Sequence, residues 1–114
     1  MKLEDQVVSL DLAKRLRELG LKQDGYFNWW KSGDAFVLSS GHPSSGLDES
    51  DEELCSAFTV AELGRIFVIY RTEPFPYYKY GEGWEYSKGK YETTEANARA
   101  KMLIYLIENK LVTP

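Results

Sequence analysis

The first clear pattern along the chain is a helical one near its start. Leucines recur at spacings of three and four residues between positions 12 and 19, and basic side chains occupy the opposite face. Ser9 precedes this stretch as a good N-cap, and Gly20 follows it as a residue type that often closes helices. The pattern therefore predicts an amphipathic surface helix between Ser9 and Gly20.

A β-hairpin is predicted next. Residues 26–31 and 35–39 are rich in aromatic and apolar side chains, and Ser32-Gly33-Asp34 between them is typical of a tight turn. The residues that follow change character sharply, because serine, glycine, proline and acidic residues dominate from position 40 onward. We therefore expect residues 40–56 to form an acidic, flexible loop.

A second hairpin is predicted farther along the chain. It pairs residues 77–80 with residues 84–87 around Gly81-Glu82-Gly83, and a turn at residues 87–90 can add a short strand at Tyr91-Glu92.

The two predicted hairpins resemble each other in sequence. At a constant offset, residues 27–39 and residues 75–87 share an order of aromatic, paired aromatics, lysine, glycine, acid, aromatic and serine. Each copy follows a segment that closes with Glu-Leu-Gly. This internal repeat predicts two related units, each of a helix followed by a hairpin.

Two further helices are indicated by their caps. Thr59 and Glu62 form a Thr-x-x-Glu capping box, which predicts a short helix from Val60 to about Arg65. The residues after it, 67–70, are β-branched and aromatic, so either a strand or the end of this helix fits them.

The last helix is predicted from Glu95 to about Asn109, with Thr94 as its cap. Six consecutive apolar residues, 102–107, cover its centre on nearly all sides. A helix of this kind is buried on more than one side, so it forms the spine of the core or lends one flank to a partner chain.

These elements together predict an α+β fold in a single domain, residues 1–114. The predicted order is αββ-αββ-α, with an antiparallel sheet packed by helices and a buried C-terminal helix. Residues 1–8 are expected to form an N-terminal tail.

Composition narrows the class of protein further. A chain of 114 residues with a net charge of -4 has length enough for one core, and it lacks the basic excess of a general nucleic-acid binder. The single cysteine, Cys55, excludes an internal disulfide and fits a reducing cytoplasm. Neither a signal peptide nor a stretch of about 20 apolar residues is present, so we expect a cytoplasmic protein without membrane partners.

The aromatic hairpins are the best candidate for a functional surface. Adjacent residues of a strand point to opposite faces, so one member of each aromatic pair is expected in the core and the other at the surface. The functional interpretation is a surface for a partner or a planar ligand, and the alternative is that all these side chains only pack the sheet. The candidate binding residues are Trp29, Trp30, Lys31, Tyr77, Tyr78, Lys79 and Trp84.

The remaining charged and nucleophilic residues do not indicate a metal site, a catalytic site or a phosphate-binding site. The acidic run at residues 48–53 lacks the spacing and the glycine of a calcium-binding loop. His42 lies in the predicted loop without an orienting partner, and the acids beside Cys55 disfavour a reactive thiolate. The basic residues of the first helix fit a solvated face, since acidic side chains lie three and four residues away. We therefore predict no catalytic residue, metal or cofactor.

Three of the predicted helical segments together resemble a family of small hypothetical proteins carried by bacteriophages and prophages. The segments run from Ser9 to Gln23, from Phe58 to Gly64 and from Thr94 to Leu111. The resemblance implies a mobile-element origin and a bacterial cytoplasm, and it carries over no activity or site residue.

Two functions follow as hypotheses. The first is a phage-type accessory protein that acts as a non-catalytic binding module and inhibits a host bacterial protein. A homodimer through the C-terminal helix fits the same class. The second is a protein that binds or sequesters a small molecule or nucleotide in a cleft between the two aromatic hairpins.

Overall fold

The computed structural model describes residues 2–40, 50–70, 77–79, 83–87 and 90–114, and it has the predicted α+β class. Its helices and strands, in chain order, are α1 Leu3–Gln6, α2 Leu10–Glu18, β1 Asn28–Ser32, β2 Ala35–Ser39, β3 Glu52–Ser56, α3 Val60–Tyr70, β4 Tyr77–Lys79, β5 Gly83–Ser87, β6 Lys90–Glu92 and α4 Glu95–Glu108. The helices pack against two antiparallel three-stranded sheets. Helix α2, the surface helix expected between Ser9 and Gly20, and both hairpins therefore form where the sequence predicts them.

The first sheet has the strand order β2-β1-β3, and its third strand corrects the prediction of a loop over residues 40–56. Strand β3 pairs antiparallel with β1 and places Trp29 opposite Cys55 and Lys31 opposite Glu52. Its acidic residues, which suggested a solvated loop, lie exposed at the start of the strand, whereas Cys55 and Ser56 are buried. Residues 41–49 of the predicted loop lie outside the described residues.

The predicted N-terminal tail is also wrong, because residues 3–8 belong to the fold. After α1, Val7 and Val8 are completely buried, and Val7 forms an isolated antiparallel bridge with Thr59. The amide of Val8 donates to the carbonyl oxygen of Phe58 at 3.0 Å. Two adjacent valines just before a helix are enough apolar surface to bring this segment into the core.

Helix α3 begins at the predicted capping box but is longer than predicted. The amide of Thr59 donates to Glu62 Oε1 at 2.9 Å, and the amide of Glu62 donates to Thr59 Oγ1 at 3.2 Å. The helix continues through Gly64 to Tyr70, which settles the open choice for residues 67–70 as helix. Gly64 does not end the helix, and the guanidinium of Arg99 from α4 lies where a side chain at Gly64 would be.

Helix α4 forms the centre of the buried core. This is the first of the two alternatives that its run of apolar residues predicted. Thr94 Oγ1 accepts the amide of Asn97 at 3.2 Å and caps the helix as predicted. The buried side chains of α4 are Ala96, Ala98, Ala100, Met102, Leu103, Ile104 and Ile107. They pack with α2 and α3 within the same chain, so the apolar surface of α4 is largely used inside the molecule.

The second sheet has the order β4-β5-β6, including the short third strand predicted at Tyr91-Glu92. It does not repeat the first sheet. Trp30 pairs with Val37 in the first hairpin, but Tyr78 pairs with Trp84, one residue away from the equivalent position. A one-residue shift exchanges the faces of one strand relative to its partner, so the two hairpins do not place equivalent residues opposite each other. The internal repeat therefore yields two helix-and-sheet units with different strand order and register.

Candidate functional site

Trp29, the first of the candidate binding residues, serves the core. Its indole Nε1 donates to the carbonyl oxygen of Val8 at 3.0 Å, and its ring packs against the buried cluster. The hydrogen bond satisfies the indole N–H, and the core covers the apolar ring. Trp29 therefore fits the alternative in which the aromatic side chain only packs the sheet.

Trp30 and Lys31 continue the same strand with different surroundings. Trp30 is partly buried, and its indole Nε1 is fully covered without a hydrogen-bond acceptor among the described residues. Lys31 is exposed and stands opposite Glu52 in the β1–β3 register, a pair of opposite charges across the strands. Neither residue lines the cleft of about 800 Å³ that described residues form at the starts of α3 and α4.

The second hairpin contributes one residue to that cleft. The backbone of Tyr77, Tyr78 and Lys79 forms β4, and the side chains of these three residues lie outside the described part of the structure. Trp84, on the central strand β5, is partly buried and lines the cleft. Of the candidate binding residues whose side chains the structure describes, Trp84 alone lines this cleft.

The cleft has a volume of about 800 Å³ and lies where three helices meet the second sheet. Its walls come from α1, from the first turns of α3 and α4, and from β5. The residues that line it are Asp5, Gln6, Thr59, Val60, Ala61, Trp84, Thr93, Thr94, Glu95 and Arg99. One aromatic ring thus faces a polar rim of hydroxyl, carboxyl and guanidinium groups.

Arg99 is the cation of this cleft, and other groups hold it in place. Its Nη2 lies 2.7 Å from Glu95 Oε2, one helical turn earlier, and its Nη1 lies 3.4 Å from the carbonyl oxygen of Val60. The two side chains of the ion pair are only 18% and 22% exposed, so the pair is weakly screened by solvent. The guanidinium therefore links the starts of α3 and α4 and fixes the shape of the cleft.

Sequence reasoning missed most of this cleft. The caps Thr59 and Thr94 were recognisable, but nothing in the sequence indicates that the two helices begin side by side. The useful local signal is the Glu95–Arg99 spacing of four residues, which favours an ion pair on one helix face. Gly64 is the second signal, because a glycine inside a helix often marks a close approach by a neighbour.

The nucleophile and metal candidates form no site in the described structure. Cys55 is buried opposite Trp29, and burial raises the pKa of its thiol, an effect that Arg17 and Lys14 oppose and Glu53 reinforces. Among the described residues, no three His, Cys, Asp or Glu side chains lie together in a cluster that could hold a metal ion. His42 lies outside the described residues.

Cys55 is expected to react slowly with iodoacetamide in the folded protein. The thiolate is the reactive form, and both burial and the raised pKa reduce its access and its population. We expect alkylation at pH 8 to be at least about tenfold slower than in unfolding concentrations of urea, as followed by mass spectrometry. Equal rates in the two conditions would show that β3 is open to solvent.

Comparison of the chain with family models, with curated proteins and with solved structures gave no match. The likeness to small phage proteins therefore stays an interpretation of the helical segments. Every helix in the described part of the chain is too short or too polar to span a lipid bilayer.

Proposed function

We propose that this protein is a non-catalytic binding protein that holds a small molecule with a planar ring in the cleft at Trp84. The observation that carries the proposal is the cleft itself, whose volume of about 800 Å³ lies in the range of small-molecule sites. An aromatic wall with a few polar groups around it is also the usual composition of such sites.

The ring of the ligand stacks on the indole of Trp84 in this proposal. Thr59, Thr93 and Thr94 line the cleft, and a hydroxyl can donate to a polar atom of the ligand even where, as in Thr59 and Thr94, its oxygen accepts a backbone amide. Arg99 contributes mainly through its position, because Glu95 and the Val60 carbonyl already engage it. The ligand is accordingly recognised by stacking and hydrogen bonds more than by charge.

The test is a titration with adenosine and with adenosine monophosphate, followed by the indole N–H resonances in NMR spectra. Stacking of a base on an aromatic side chain contributes about 1–3 kcal/mol, so we expect Trp84→Ala to weaken binding of either probe about 5- to 150-fold. Trp84→Phe keeps a ring and should retain most of the affinity. Trp30→Ala is the matched control, because Trp30 does not line the cleft.

Two results would contradict this proposal. One is the absence of any shift of the Trp84 indole resonance with both probes and with a broader set of planar heterocycles. The other is binding that Trp84→Ala leaves unchanged while Trp30→Ala removes it.

A second candidate is a phage-type accessory protein that binds, and inhibits, a host protein in the bacterial cytoplasm. The observation that favours it is the number of large apolar side chains left at the surface of the described residues. They are Tyr26, Phe36, Val68, Ile69, Tyr105 and Leu111. Native mass spectrometry of the tagged protein from a bacterial lysate would favour this candidate if one host protein were retained stoichiometrically and lost when two of these exposed residues, Val68 and Ile69, are replaced by glutamate.

A homodimer through α4 also stays a proposal. The helix buries most of its apolar side chains in its own core, so Tyr105 is its main exposed aromatic group. Substitution Tyr105→Glu would dissociate such a dimer in sedimentation experiments.

A further inference from the structure

Strand β2 is an edge of the first sheet. The pairing of β1 with its two neighbours shows which residues of β2 direct their backbone N–H and C=O groups away from the sheet. The amide of Ala57 donates to the carbonyl oxygen of Phe27. The odd-numbered residues at this end of β1 therefore direct their backbone N–H and C=O groups towards β3. Residues alternate along a strand, and Trp30 of β1 therefore bonds towards Val37 of β2. It follows that Phe36 and Leu38 point their N–H and C=O groups away from the sheet.

No described residue pairs with that outer edge of β2. Its sequence, Ala35-Phe36-Val37-Leu38-Ser39, contains neither a charged residue nor a proline. The other edge strands of the described sheets all carry charge: glutamates in β3, a lysine in β4, and a lysine and a glutamate in β6. Proteins protect exposed edges with charges or proline, because an open uncharged edge pairs readily with another strand.

We propose that a second copy of this chain pairs antiparallel along β2, about a two-fold axis through Val37. This register places Phe36 of each copy opposite Leu38 of the other, so both outward N–H and C=O groups of each residue form hydrogen bonds across the axis. The same register places an aromatic beside an aliphatic side chain on one face and Val37 beside its own copy on the other. The strand is therefore complementary to itself, which a two-fold interface requires.

The helices leave room for this pairing. Helix α2 packs mainly against β3, the strand farthest from the proposed interface, and the side chain of Lys14 extends from it over Phe36 of β2. Five strand spacings of about 4.8 Å separate β3 from its copy in the joined sheet, so the two α2 helices would lie roughly 24 Å apart. That distance exceeds the diameter of a helix with its side chains, about 10–12 Å.

Phe36 is the side chain that gains most from the second copy. It is 50% exposed, and Lys14 of α2 lies over its ring, with Nζ 5.6 Å from the ring centre. A short strand pair buries less surface than a standard interface, so we expect a dissociation constant on the order of 1–100 µM.

The test is sedimentation equilibrium of the whole chain from about 1 to about 500 µM, a range that brackets the expected constant. We expect a monomer–dimer equilibrium that Phe36→Glu weakens at least about tenfold, because a carboxylate at the edge opposes pairing. The introduced carboxylate lies beside Lys14, which makes it tolerable in the folded monomer. Ile69→Glu, at a more exposed apolar position on α3 (67% against 50% for Phe36), is the control and should leave the dimer unchanged.

A paired substitution tests the register. Phe36→Glu combined with Leu38→Lys places opposite charges across the axis and should recover dimerisation relative to Phe36→Glu alone. Phe36→Glu combined with Leu38→Glu places like charges there and should not recover it. Circular dichroism establishes that each variant is folded before its association is compared.

Hydrogen exchange gives a measurement without substitutions. The amides of Phe36 and Leu38 should become protected as the protein concentration rises, whereas the Val37 amide, bonded within the hairpin, should be protected at every concentration. A chain that is monomeric up to the highest concentration, a dimer that Phe36→Glu does not weaken, or unprotected Phe36 and Leu38 amides in a dimer would each overturn the proposal.

Discussion

Replacing Phe67 by alanine is expected to lower the free energy of unfolding by about 3–5 kcal/mol. Phe67 lies on the inner face of α3, is 1% exposed and belongs to the main buried cluster. Its removal withdraws a whole ring from contact and leaves a cavity that the surrounding helices can fill only in part. Urea unfolding followed by tryptophan fluorescence measures the change.

The matched controls are its neighbours on the same helix. Val68 and Ile69 are 68% and 67% exposed, so their alanine variants should change the free energy of unfolding by at most about 0.5 kcal/mol. The comparison also tests the secondary structure of this segment. In a strand, Phe67 and Ile69 would share a face, and both substitutions would be costly; the helix predicts a large effect at Phe67 only. Similar losses at the two positions would show that residues 67–70 are not helical.

The sequence predicted those parts of the fold whose signals are local. The capping box at Thr59 and Glu62, the cap at Thr94 and the turn at Gly33 all have their causes within three or four residues. The helix starts and the hairpin turn therefore form where they were expected. The α+β class follows from the same elements.

The missed parts depend on contacts between distant segments. The acidic composition of β3 by itself suggests a loop. The segment forms a strand because it pairs with the edge of β1 that β2 does not occupy. Helix α3 continues past Gly64, and Arg99 from the distant helix α4 lies in the space that a side chain at Gly64 would fill. The valines of the N-terminal segment enter the core because Phe58 and Thr59 lie beside them.

The candidate cleft shows the same division. Trp84 was a candidate from the aromatic pattern. Its neighbours in the cleft come from α1, α3 and α4, and no motif in the sequence links those segments to Trp84. The internal repeat predicted Trp30 and Tyr78 as equivalent positions of one site. The one-residue difference in hairpin register removes that equivalence, and a similarity of residue types cannot report a register.

Replacing Gly83 by alanine is expected to lower the free energy of unfolding by about 2–4 kcal/mol, from two separate causes. The backbone of Gly83 has φ +102°, a conformation that side-chain-bearing residues rarely adopt. A Cβ atom there would also lie 2.5 Å from the backbone oxygen of Glu92 on the neighbouring strand β6. Backbone cannot swing aside as a flexible side chain can, so the β5–β6 pairing must shift.

Gly33→Ala in the first hairpin separates the two causes. Gly33 also has a positive φ, +61°, but no atom lies within 4 Å of the position of an added Cβ. This variant should therefore lose only the conformational part, about 1 kcal/mol. Urea unfolding gives both values, and hydrogen exchange at β5 and β6 should rise in Gly83→Ala alone. Equal losses in the two variants would show that β6 does not approach Gly83 as closely as the structure places it, and Trp84, the next residue, would then line a wider cleft.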